Sequence, residues 1–275
     1  MRVVVTGKGG TSGSWQIRGE QLGNAIGADV IPNASDSDMR SADVVVVVKR
    51  TPENIHKAQG VKVLDIVDAW TQPYANAWSR DQMIKWARNA SIPYDRTIAA
   101  TQEMKEDTGA DFFLRHHYRP DIKENDVRAK VQIIGYEGSM RYLEGWEKTI
   151  MRECEKRDWL FITNPRHLAD CDVVLGLRGG KWRGYATDHW KSCVKMANAI
   201  GSLTPMIALD ECGYSETGAP FLAVDKPDDL AAAFDEMALL STRIRHATAM
   251  REIKPYYALE RVAQDYMAWL QQLKS

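Results

Sequence analysis

The chain has 275 residues, a net charge of −1 at pH 7, 44% hydrophobic residues and 27% charged ones. That is apolar material for one large or two small packed domains, and the near-neutral balance gives no global field toward nucleic acid or an anionic membrane. Cys154, Cys171, Cys193 and Cys212 are widely spaced with no CxxC pair, which argues against zinc and for reduced thiols in the cytoplasm, while no apolar run approaches the roughly 20 residues of a membrane helix and the short Val3–Val5 run is no signal peptide.

Val3–Thr6 is short and β-branched, the mark of a buried parallel strand. It runs into Gly7, Gly9, Gly10 and Gly13. Ser14–Ile26 then repeats Trp15, Leu22 and Ile26 on one helical face. Asp43–Val48, with its consecutive valines, predicts a strand buried on both faces. Pro52–Gln59 predicts a short helix, with Pro52 in its first turn and Gly60 at its end. Strand Val61–Val67, helix Arg80–Ala90 and strands Arg96–Ala99 and Phe112–Leu114 follow. His116–Lys130 is polar, charged and proline-containing, and its later part reads as an interdomain linker. The alternation then resumes, with strand Val131–Ile134, a turn through Gly135, Gly138 and Ser139, and helix Met140–Arg157. Strands Leu160–Thr163 and Asp172–Leu177, helix His189–Ile200, strands Pro205–Leu209 and Phe221–Val224 and helix Pro227–Ser241 complete it. Tyr256–Leu273 is amphipathic, with Leu259, Val262, Tyr266, Trp269 and Leu273 near one face. This order predicts an α/β protein with doubly wound parallel sheets. Two strand–glycine turn–helix openings half a chain apart predict two Rossmann-like domains facing a central cleft, residues 1–122 and 131–254, followed by a helical segment, residues 255–275.

The first glycine turn, TGKGGTSGSW, lacks the lysine directly before Ser or Thr that a Walker A loop needs, and it is not GxGxxG, because Gly7 and Gly9 are followed by Ser12. Neither an ATPase nor a dinucleotide dehydrogenase is supported. The turn reads either as a tight strand–helix connection or as a loop approaching a ligand, with Ser12, Trp15 and Arg18 at its rim. In the second turn, GYEGSMR, Ser139 can cap a helix and donate to a phosphate oxygen, the backbone offers N–H groups, and Arg141 supplies charge. A capped helix with a solvated arginine is the alternative. Lys191 and Lys195 are four apart in WKSCVKMANAI, with Ser192 beside them. On one helix face near its start they repel each other and oppose the helix dipole unless an anion sits between them. The preceding segment carries Arg178, Lys181 and Arg183 among glycines, a basic loop that suits a diphosphate or solvent equally. Among the acids Asp210, Glu211 and Glu216, Glu216 is placed to accept from ribose hydroxyls. In the first half, Asp68 ends its strand where catalytic groups of such sheets sit and is the candidate general base. His116 and His117 are adjacent on a strand, so at most one faces the cleft; His117 is the reserve base.

Taken together, the twin openings, the lysine pair, Glu216 and the final helix resemble the GT-B class of nucleotide-sugar glycosyltransferases over nearly the whole chain. The resemblance implies that the first domain binds acceptor, the second binds donor, and the last helix crosses back onto the first domain. It implies Gly138, Ser139, Arg141, Lys191 and Lys195 at the diphosphate, with Arg178 and Ser192 beside them and Glu216 at the ribose. Gly9, Gly10, Ser12, Trp15 and Arg18 would border the acceptor. The donor implied is a nucleoside-diphosphate sugar, taken as a UDP-sugar. No DxD motif is present, so no obligatory metal or cofactor is expected. Lysine and arginine would stabilise the departing diphosphate while a base deprotonates the acceptor hydroxyl. The paired-glutamate signature of the retaining members is absent, since Glu211 and Glu216 are only five apart. The acceptor implied is a small molecule, a glycan or a hydroxymethylated base in duplex DNA. For DNA, Arg115, His117, Arg119, Lys123, Arg128 and Lys130 would form a local basic strip. A sugar-nucleotide epimerase of the same architecture and a non-catalytic nucleotide-sugar or nucleic-acid binding protein are the competing readings.

Overall fold

The computed structural model describes residues 1–273; Lys274 and Ser275, the last two of the expected 255–275 segment, lie outside the described residues. The first half builds a parallel sheet from β1 (Val3–Gly7), β2 (Asp29–Val30), β3 (Val44–Val48), β4 (Val61–Asp65), β5 (Arg96–Ala99) and β6 (Phe112–Phe113), in the order β2-β1-β3-β4-β5-β6. The valine run is central because β-branched side chains suit a strand covered on both faces. Val44–Val48 pairs in register with Val3–Gly7 on one side and Val61–Asp65 on the other, and all of its valines are buried. The second half builds another parallel sheet from β7 (Ile133–Tyr136), β8 (Leu160–Thr163), β9 (Val173–Gly176), β10 (Met206–Ala208) and β11 (Leu222–Ala223), in the order β11-β10-β9-β7-β8.

The helices are α1 (Leu22–Ala25), α2 (Asp36–Ser41), α3 (Arg80–Ser91), α4 (Gln102–Thr108), α5 (Glu147–Glu155), α6 (Tyr185–His189), α7 (Val194–Ser202), α8 (Cys212–Ser215), α9 (Leu230–Ala238), α10 (Leu240–Ile253) and α11 (Leu259–Gln272). Helix α11 returns to the first sheet. Its Val262, Ala263, Tyr266 and Leu270 are buried in one cluster with Val3, Val5, Leu22 and Ile98, and Trp269 stacks on Phe112 with ring centroids 4.8 Å apart. The expected crossing of the last helix is therefore present, and it is held by apolar burial.

Several elements differ from the expectations in ways that matter for the site. Ser14–Ile26 is not one regular helix: a wide π-type turn over Trp15–Gln21 precedes α1. Gly19 lies against the Trp15 ring, where an added Cβ would sit 2.6 Å from it. The turn carries Trp15 and Arg18 into the interior. The expected helix Met140–Arg157 is interrupted: a single turn, Met140–Leu143, precedes α5, which begins at Glu147. His189–Ile200 is also divided, into the end of α6, a connector through Trp190–Cys193, and α7. The linker segment His116–Lys130 has no regular structure but is anchored. Asn125 donates to Cys171 O at 2.5 Å, Arg128 pairs with Asp172 at 2.6 Å, and the buried Arg243 donates to Arg128 O at 2.6 Å and Ala129 O at 3.1 Å. Its charged composition reflects these anchors.

Candidate active site

The C-terminal ends of β3 and β4 put two non-glycine residues into the left-handed region, Lys49 with φ 69° and Val67 with φ 49°. For a β-branched residue this conformation is unfavourable by about 1–3 kcal/mol. The two strained residues present Lys49 and Asp68 at the edge of the first sheet. There Asp68 forms ion pairs with both Lys49 and Lys191, and Lys191 comes from the connector before α7. Ser14 Oγ, at the end of the glycine-rich turn, also lies 3.4 Å from Asp68 Oδ1. Burial by itself would raise the Asp68 carboxyl, but Lys191 and Lys49 override it and hold the group well below the usual carboxylate range. Burial lowers Lys191 against the pull of Asp68. At neutral pH the two form an ion pair across the halves of the molecule.

Behind Lys191, Arg178 and Glu211 form a buried bidentate pair, with Nε to Oε1 at 2.5 Å and Nη2 to Oε2 at 3.2 Å. Lys195, in the first turn of α7, has its ammonium 4.0 Å from the centroid of the Tyr136 ring. That buried nitrogen has no hydrogen-bond partner among the described residues. Burial, with Arg178 adding to it, pushes its pKa down to about 7. Glu211 and Glu137 pull the other way without reversing the shift, and a bound anion would supply the hydrogen-bonded partner that this nitrogen lacks. The expectation that Lys191 and Lys195 share one helix face is corrected: Lys191 precedes α7 and reaches toward Asp68, while Lys195 starts α7 and points to Tyr136. Folding nevertheless brings Arg178, Lys191, Lys195 and Lys49 around Asp68, Glu211 and Glu137.

Other expected residues are placed differently. The Gly138 N–H donates to Asn164 Oδ1 at 2.8 Å, and Asn164 returns a bond to Gly138 O at 3.1 Å. Ser139 makes no capping bond, and the helix begins beyond it. Arg141 lies over the Tyr142 and Trp182 rings, 5.0 Å from each centroid. Ser192 is buried in the connector beside Lys191. Both Glu216 oxygens accept backbone N–H groups from the other half, Gln102 N at 2.9 Å and Glu103 N at 3.0 Å. They therefore sit at the start of α4, not in an open ribose pocket. Gly9 (φ 72°) and Gly10 (φ 81°) hold the left-handed turn that opens the first loop, and a Cβ on Gly9 would meet Pro32 at 2.7 Å. Arg18 is interior, donating to Leu114 O at 2.6 Å and lying 2.9 Å from His116 Nδ1 and 3.8 Å from Asp65. His117 is turned to backbone oxygens, Tyr118 O at 2.8 Å and Ile17 O at 3.4 Å. His116 is the histidine that feels Asp68 and Lys191, and burial followed by Arg18 holds its pKa well below the usual value. The basic strip expected for DNA is broken: His117 is buried, Arg119 lies 3.5 Å from Glu137, and Arg128 is bound to Asp172.

The seam between the halves was not foreseen. Trp190 and Ala186, from α6 and its exit, belong to the core cluster of the first half, with Trp70, Met83 and Met104. Trp190 is fully buried, sits edge-on to Trp70 with centroids 6.4 Å apart, and donates to Asp107 Oδ2 at 2.9 Å. Thr101 Oγ1 donates to His189 O at 3.0 Å and Asn76 Nδ2 to Lys181 O at 3.0 Å. Gly184, with φ 144°, lies so close to Asn76 O that a Cβ there would come within 1.8 Å of it. The tryptophan in HWKS is the signal in the sequence, since a large aromatic between two polar residues needs a neighbour to bury it.

No protein-family model matches the chain, and no curated protein matches it. Solved structures do. A glycosyltransferase from Rickettsia africae ESF-5 aligns with TM-score 0.63 and 9% identity, over 100% of this chain and 99% of that one. The lipopolysaccharide outer core galactosyltransferase WaaB, in its apo form, aligns with TM-score 0.58 and 10% identity over 98% of this chain and 100% of that one. A S. aureus TarM mutant in complex with fondaparinux, alpha-GlcNAc-glycerol and UDP aligns with TM-score 0.56 and 12% identity over 84% of this chain. The chain spans 55% of the length of that TarM chain. Among the described residues no helix is long and apolar enough to cross a membrane. With two parallel sheets, a seam at their C-terminal edges and a last helix returning to the first sheet, the chain has the GT-B fold of these glycosyltransferases.

Proposed function

We propose that the chain transfers a sugar from a nucleoside-diphosphate sugar, a UDP-sugar, to an acceptor hydroxyl. The observation that carries this reading is the buried Lys195 nitrogen, which has no hydrogen-bond partner among the described residues and lies beside Arg178 and Lys191. A diphosphate supplies a hydrogen-bonded anion to Lys195 and a second anionic partner to Lys191. The presence of UDP in the TarM complex supports the same donor class. In this scheme the diphosphate competes with Asp68 for Lys191. Asp68 then loses one of its two cations and its pKa rises, which turns a weak base into a useful one. The acceptor O–H proton passes to the Asp68 carboxylate, the acceptor oxygen bonds to the anomeric carbon, and the bond to the diphosphate breaks. The leaving nucleoside diphosphate takes the electron pair and is stabilised by Lys191 and Lys195. Glu216, released from α4, is free to accept from the ribose, and the glycine-rich turn borders the acceptor. Arg178 adds to the positive field felt by both lysines.

The test is calorimetric titration of UDP and of uridine into wild type and Lys195→Ala. UDP binding should weaken by about 10-fold or more, the scale of one charge-assisted contact, while uridine binding changes little. Equal loss for both ligands removes the diphosphate from the lysines. Incubation with a UDP-sugar that yields only a rearranged sugar nucleotide would favour the epimerase.

A further inference from the structure

A pocket of about 270 Å³ opens at the C-terminal ends of β1 and β3, lined by Lys8, Gly9, Ser12, Trp15, Lys49 and Arg50. Three of these residues are cationic and none of the lining residues is acidic. The Lys8 and Arg50 side chains have no ion pair among the described residues, whereas Lys49 reaches Asp68. The left-handed backbone at Lys49 turns the chain so that Arg50 N bonds back to Val48 O at 2.9 Å, which sets consecutive basic residues around one opening. The left-handed Gly9 keeps the other wall clear of Pro32. Through Lys49 and Ser14 the pocket adjoins Asp68.

We propose that the acceptor is a small phosphorylated alcohol, whose phosphoryl group sits between Lys8, Lys49 and Arg50 and whose hydroxyl is offered to Asp68. This rests on the glycosyltransferase reading above. A neutral sugar would leave the Lys8 and Arg50 cations of the pocket without a partner. A carboxylate would answer one of them. A phosphate monoester carries about −1.5 to −2 charges at pH 7 and three strong acceptor oxygens, which suits an arginine fork flanked by two ammonium groups. The volume holds a phosphoryl group with a short polyol and excludes a duplex. Lys49 then has two roles, holding the acceptor phosphate and restraining Asp68.

Glucose 6-phosphate and glucose, titrated separately into wild type, the double variant Lys8→Gln/Arg50→Gln, and Lys195→Gln, test the assignment, with UDP titrated into each. Glucose 6-phosphate should bind wild type and glucose should not. The double variant should lose at least 10-fold in affinity for glucose 6-phosphate, a change that Lys195→Gln should not produce. Loss in Lys195→Gln with retention in the double variant would place the phosphate in the donor cluster and overturn the proposal. So would equal binding of the two sugars. Failure of UDP to bind wild type would sink the transferase reading while leaving the phosphate pocket to be judged by its own variants. Vesicles of equimolar phosphatidylcholine and phosphatidate identify the source: retention lost in the double variant supports a lipid-borne phosphate, and binding of the soluble ester alone supports a free one. Binding to neither overturns the proposal.

Discussion

Lys195 is a buried amine of the candidate site that has no hydrogen bond among the described residues to offset its burial. Its pKa is about 7 in the folded chain against an ordinary 10.5. Between those values the unfolded chain holds a proton that the folded chain has lost, so this group makes stability rise with pH across that window and opposes folding most fully below it. The charge of a bound diphosphate would oppose that shift and favour the protonated form. Binding of UDP near pH 8 should therefore take up close to one proton, seen as binding heats that vary with buffer ionisation enthalpy. The uptake should vanish in Lys195→Gln; unchanged uptake in that variant would assign it elsewhere. Asp68 gives the complementary case. Asp68→Asn should lower turnover about 10²–10⁴-fold without weakening UDP binding, because it also frees Lys191 of its partner. Steady-state kinetics beside a UDP isotherm read both, and near-normal turnover would move the base to another group, with His116 the histidine next to hand. Because the folded pKa of Asp68 is depressed, its stabilising contribution is present above the unfolded value near 4 and is lost as pH falls below it.

Helix α6 has only one turn and a half, too short to hold itself, and its order comes from the seam. Tyr185 stacks on His189, and Trp190 fills a slot beside Trp70. Trp190→Ala removes a fully buried ring and leaves Asp107 short of one donor. It should cost roughly 3–5 kcal/mol, read as a lower denaturation midpoint. A loss under about 1 kcal/mol would show that the ring is not enclosed in solution. The break between α6 and α7 also explains the lysines: a continuous helix would point both the same way, whereas the connector sends Lys191 to Asp68 and leaves Lys195 behind at Tyr136.

For the molecule as a whole, the seam that closes the two halves uses residues that the proposed function gives to the donor. Lys191 holds Asp68, and Glu216 holds the first amides of α4. Under the proposed function, donor binding exchanges these contacts for ligand contacts, which would couple occupancy to the contact between the halves. Saturating UDP should therefore speed hydrogen exchange at the amides of Gln102 and Glu103, since their acceptor is withdrawn, while amides of β3 remain protected. Unaltered or slower exchange at Gln102 and Glu103 would mean that Glu216 stays on α4 and does not serve the ribose.

Periodicity and residue type are local properties, and they were enough for the Val44–Val48 strand, the alternation of strands and helices and the amphipathic last helix. Each follows from which side chains a buried strand or a one-sided helix can carry. The candidate cluster was legible in part for the same reason: strand ends and helix starts are where such sheets gather polar groups, so Asp68, Lys191 and Lys195 stood out. Their partners did not. Lys191 meets Asp68 across 123 positions, and Glu216 meets Gln102 across 114, separations over which no sequence pattern carries a signal. The break before α5 falls at Gly145, whose φ is 85°, and a lone glycine in a helical pattern does not by itself announce a break; the break at Trp190 follows from burial of its ring in the core of the first half. The sequence by itself determined the elements and the charges available; only the tertiary structure decided which charges are paired, which one is buried without a hydrogen bond, and which surface closes the seam, because pairing and desolvation depend on distance in space.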